Sequence, residues 1–74
     1  MDKEQALHYA GILLNKLEQF RKKATGLKIH DANVTIAILD GYVRATKESR
    51  FADAVEGLNE AIQSAETFLA GQWS

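Results

Sequence analysis

The chain has no cysteine and no proline. Without cysteine there is no disulfide to constrain the unfolded chain and no thiolate to hold a metal. Without proline nothing imposes a break inside a helix. Aromatic residues make up only 8% of the 74, and the five glycines are scattered rather than gathered into a loop that could cradle a phosphate. Excess positive charge is missing as well. The net charge is −1, whereas a general polyanion binder is strongly basic. No apolar run reaches membrane-spanning length, and the opening MDKEQ lacks the basic-then-apolar order of a secretory leader. The expectation is a cytoplasmic protein with no membrane partner.

What the chain has is helix-forming material. Apolar residues are 46% of the sequence, and eleven of them are alanines. Alanine favours helix and lets backbones approach closely, yet adds little buried area. A domain this small buries only about 60% of its unfolded surface. A small core without staples often recruits a second chain, so pairing into a homodimer is expected.

The clearest pattern runs from Ser49 to Gly71. Phe51, Val55, Leu58, Ile62, Ala65 and Leu69 recur at alternating steps of four and three. A helix turns once per about 3.6 residues, so these side chains form one stripe. Ser49 is a candidate N-cap, Gly71 a candidate left-handed terminator, and Trp73 would fold back over the last turn. The first helix shows the same steps in Ala6, Ala10, Leu13, Leu17, Phe20 and Ala24, with Asp2 and Gln5 spaced as a capping box. Leu7 and Leu14 widen its stripe on one flank, Tyr9 and Ile12 on the other. The apolar arc of residues 6–14 spans roughly 220°, enough for two neighbours.

The middle of the chain supports two readings. Val34-Thr35-Ile36 and Ile38 favour strand, and Asp40-Gly41 is a hairpin turn signal. Against this, Ala32, Ile36, Leu39 and Val43 keep the four–three step, and Asp40, Arg44 and Glu48 fall at helical ion-pair spacing. The periodicity favours a helix capped by Asp31, with Leu27–His30 a connection whose Leu27 and Ile29 tuck against the bundle. The chain then reads as one all-α domain over residues 1–74. It is a three-helix unit, long–short–long with antiparallel turns, its helices spanning about 2–25, 31–47 and 50–70.

Few residues suggest chemistry. Glu4 and His8 share a helix face and supply two metal ligands, short of the three or more that a site needs. His30 beside Asp31 reads as a loop histidine. Asp53, Glu56, Glu60 and Glu66 form a solvated acidic face. No nucleophile has a base and orienter around it, and three helices leave little room for a pocket. No metal, no cofactor and no enzymatic activity are expected. Arg21, Lys22, Lys23 and Lys28 are the one candidate anion or nucleic-acid patch, although the helix dipole accounts for the first three.

The remaining signal is surplus apolar surface: Tyr9, Ile12, Ile38, Tyr42 and Trp73, with Val34 and Ala45 alongside. Exposed apolar patches mark binding surfaces. The expected function is a non-catalytic interaction protein: an adaptor, regulator or inhibitor that binds itself and another protein, compatible with phage or mobile-element origin. One alternative is a small nucleic-acid-binding regulator using the basic end of the first helix. Another is a sponge that holds a small anionic ligand at a dimer interface.

Overall fold

The computed structural model describes residues 2–50 and 55–71. They form three α-helices and, among the described residues, no strand: α1 over Lys3–Lys23, α2 over Leu27–Glu48 and α3 over Val55–Gly71. The helices run side by side in a body of 39 × 20 × 15 Å, each touching the other two.

The start of α1 is built as its sequence requires. Asp2 Oδ1 accepts from the Gln5 amide at 2.9 Å, and the Asp2 amide donates to Gln5 Oε1 at 3.3 Å. Two otherwise orphaned donors are satisfied reciprocally. Arg21, Lys22 and Lys23 close the helix at the negative end of its dipole.

The second helix departs from expectation at its start. It begins at Leu27 and not near Asp31, with Gly26 at φ 62° as its cap. That left-handed backbone lets the chain reverse within Ala24-Thr25-Gly26, so helix formation resumes at once. Asp31 therefore lies in the helix interior, where its carbonyl accepts from Thr35 Oγ1 at 2.9 Å. Leu27 and Ile29 are helical and face solvent, Leu27 at 84% exposure, so they form no lid. At 22 residues α2 is no shorter than α1 at 21, so the middle helix is not the short one of a long–short–long order. The helical reading of residues 34–46 stands over the hairpin: Ala32, Leu39 and Val43 are buried and Ile36 packs against the core, as the four–three step demands.

At the far end Ser49 closes α2, its amide donating to the Ala45 and Thr46 carbonyls; its expected role as the cap of the third helix involves residues 51–54, which lie outside the described residues. Lys3 Nζ donates to the Ser49 carbonyl at 2.8 Å, tying the start of α1 to the end of α2. At the opposite end Arg21 Nη1 donates to Asn33 Oδ1 at 2.9 Å. These two contacts fix α1 and α2 antiparallel. The Phe20 and Phe68 rings meet edge to face at 5.5 Å, so late turns of α1 and α3 lie together. Gly71 is the last residue of α3 and lacks the left-handed conformation expected of a terminator. Phe51, Asp53 and Trp73 lie outside the described residues.

The core is Ala6, Ala10, Leu13 and Leu17 of α1, Leu39 and Val43 of α2, and Leu58, Ala61, Ile62, Ala65 and Leu69 of α3. Four of these are alanines, which is how three helices fit so closely around few large side chains. Among the described residues, no helix is long and apolar enough to cross a membrane.

Candidate functional site

The outward face of α2 is the largest unexplained feature. Val34, Ile38 and Tyr42 stand one turn apart and are 43%, 51% and 44% exposed. Ala37, Gly41 and Ala45, also one turn apart and exposed, run beside them. The large row and the small row enclose a shallow hollow of about 310 Å³ lined by Ala37, Ile38, Gly41, Tyr42 and Ala45. A helix apolar on its inward side for the core and on its outward side as well has the pattern of a fully buried helix. Here nothing from the described residues covers the outer side.

Two details give this face its shape. Gly41 sits mid-helix where a methyl group would meet nothing within 4 Å, so no contact among the described residues calls for glycine there. Tyr42 is held from beneath: a Cβ on Gly57 of α3 would lie 2.8 Å from its ring. One edge of the ring thus packs on α3 while the rest faces out. Asp40 and Arg44 border the face and pair with each other at 3.1 Å, so no unmatched charge stands beside the middle turns.

The other residues of the expected apolar surface are placed elsewhere. Tyr9 packs against the core at the seam of α1 and α3, and its hydroxyl donates to Glu66 Oε2 at 3.0 Å. That hydrogen bond, with some desolvation and the Glu66 charge, raises the Tyr9 hydroxyl pKa above its ordinary value. Ile12 is 41% exposed on α1 and lines neither the α2 hollow nor the cleft described next. Ile38 and Tyr42 are therefore brought together, while Tyr9 and Ile12 are not joined to them.

Contrary to the expectation of little room, α1 and α3 leave an open cleft of about 620 Å³. Leu13, Phe20 and Leu69 form its apolar wall, with Tyr9, Lys16 and Glu66 among its polar groups. Such a cleft depends on how two helices diverge, which no residue pattern announces. Of the basic residues, Arg21, Lys22 and Lys23 stand in the last turn of α1 and Lys28 in the first turn of α2, on either side of the short connection, with Arg21 engaged by Asn33. His8 and His30 are exposed, and among the described residues no three His, Cys, Asp or Glu side chains cluster to hold a metal.

No family model, curated protein or solved structure matches the chain, so its site is read from its own geometry.

Proposed function

We propose that this chain is a non-catalytic protein-interaction module whose working surface is the outward face of α2. The observation that carries the reading is the exposed row of Val34, Ile38 and Tyr42 beside the hollow at Gly41. Large apolar side chains at helical spacing next to a recess are what a partner helix packs into, ridge into groove. A soluble chain gains by covering such a face, and the energy of binding concentrates in a few large side chains of this kind. The role is that of an adaptor, regulator or inhibitor acting through contact rather than chemistry.

The basic residues support a nucleic-acid role less well. Arg21 is engaged by Asn33, and the helix dipole accounts for the positive charge of that turn. A ligand sponge would use the α1–α3 cleft, whose lining includes both Glu66 and Lys16; that mixture of charges favours no simple anion.

Site-specific photo-crosslinking tests the docking reading. A benzophenone side chain placed at Ile38 should give covalent protein adducts in the cells that make the protein, and one at the exposed Gln63 of α3 should not. Absence of adducts at position 38, or equal yields at both positions, would overturn the proposal.

A further inference from the structure

We infer that the outward face of α2 is built to pair with the same face of a second copy, antiparallel, about a two-fold axis between residues 39 and 40. The inference rests on the docking reading above and names the partner.

The argument is one of register. An antiparallel helix pair sharing an apolar seam packs in layers, each made of one side chain from each helix. With the axis between residues 39 and 40, Ile38 of one copy shares a layer with Gly41 of the other, and Val34 shares one with Ala45. On the flanks Tyr42 falls level with Ala37. In the Ile38–Gly41 and Val34–Ala45 layers a large side chain then meets a small one, and each pairing occurs twice by symmetry. The hollow at Gly41 receives Ile38 from the second copy. A parallel in-register pairing would set Gly41 against Gly41 and leave a void in the middle of the seam, with the hollow unfilled. The mid-helix glycine, which no contact among the described residues requires, thereby gains a physical reason: it admits the facing isoleucine.

Charge is consistent with this arrangement. No charged residue lies on the face between Val34 and Ala45, and Asp40 and Arg44 neutralise each other at its border. Pairing therefore buries no lone charge. Only at the two ends does a like-charge layer occur, Asp31 of one copy level with Glu48 of the other, and both residues are exposed. Helices that cross diverge towards their ends, which limits that repulsion.

Area sets the strength. A standard interface buries about 800 Å² per partner, close to 15% of the 5196 Å² surface of this chain. The face from Val34 to Ala45 is about 17 Å long and about 10 Å wide, and it falls short of that. The pair is therefore weak and reversible, with a midpoint of about 10–500 μM. Because the end layers repel, added salt should tighten the pair rather than loosen it.

The absence of cysteine makes the register directly testable. In the full chain under mild oxidation, Ile38→Cys should form a covalent dimer, because its two copies lie about 4–5 Å apart along the axis. Ala45→Cys alone should not, because its copies lie about 16 Å apart, beyond the roughly 7 Å Cα separation a disulfide spans. Mixing Val34→Cys with Ala45→Cys should restore cross-linking between the two variants. All three positions are exposed, so circular dichroism should show each variant as helical as the parent. Failure of Ile38→Cys to cross-link at several hundred micromolar, or cross-linking of Ala45→Cys with itself, would overturn the inference. If those disulfides fail while a photo-crosslinker at Ile38 captures a heavier protein, self-pairing is wrong and the docking reading survives. If both fail, the face is not a docking surface.

Discussion

At Gly41 an added methyl group would enter open space, whereas at Gly57 it would lie 2.8 Å from the Tyr42 ring. Both glycines are helical, so alanine at either removes the same backbone penalty of about 1 kcal/mol. Gly41→Ala should therefore stabilise the fold by about 0.5–1 kcal/mol in thermal or urea unfolding. Gly57→Ala must displace the Tyr42 ring outward and should end at least about 1 kcal/mol less stable than Gly41→Ala; equal stability would show that the ring moves freely. The same scale holds the pH response of the α1–α3 seam. The Tyr9 hydroxyl donates to Glu66, and its pKa is raised mainly by that hydrogen bond. A raised folded pKa means the stabilisation is fully present below the unfolded value of about 10 and is lost as pH climbs through the folded one. Tyr9→Phe should thus melt slightly below the parent at pH 7. The gap should close in the alkaline range above pH 10, and a gap constant across that range would remove the hydrogen bond from the account.

At the scale of the helix, two aspartates of similar promise in the sequence do different work. Asp2 makes both contacts of a capping box, and Asp2→Ala should cost about 1 kcal/mol. Asp31 lies inside α2 and is exposed, so Asp31→Ala should change stability by no more than about 0.5 kcal/mol. Urea melts of the two variants check the assignment, and similar losses would contradict it. Asp31 was misread because cap preference is local, whereas the start of α2 is decided by Gly26, whose positive φ turns the chain a full helical turn earlier. The same locality made Asp40-Gly41 resemble a hairpin. Burial of Ala32, Leu39 and Val43 on one stripe prevails over that signal, because only the helical period places all three in the core. The stripes of α1 and of Val55–Gly71 were legible for the same reason. The exposed apolar face of α2 was legible only as surplus. An apolar arc does not say which neighbour will cover it, so Tyr9, which packs at a seam, and Ile38, which faces out, look alike in sequence. The α1–α3 cleft had no signature at all, since it is the space left where two helices diverge.

For the molecule as a whole, the core and the exposed apolar face proposed for docking lie on opposite sides of α2, and their variants should separate cleanly. Leu58 is fully buried and Glu60 exposed. Leu58→Asp should abolish the helical signal by burying a charge, while Glu60→Ala should stay within about 0.5 kcal/mol of the parent. Ile38→Glu belongs to neither class. It places a charge on a half-exposed position, so the isolated chain should keep its fold, but the charge would be driven into the hollow at Gly41 when two copies meet. Self-pairing couples folding to concentration, because anything that binds only the folded state stabilises it by mass action. For a dimer this amounts to about 0.7 kcal/mol per chain for each tenfold rise above the midpoint, or roughly 3–5 °C in Tm for a domain of this size. The parent should therefore melt higher at 1 mM than at 100 μM, and Ile38→Glu should melt at the same temperature at both. A flat parent curve would mean that the face of α2 does not bind its own kind, and a sloping Ile38→Glu curve would move the pairing to another surface, of which the exposed Ile12 side of α1 is the next to test.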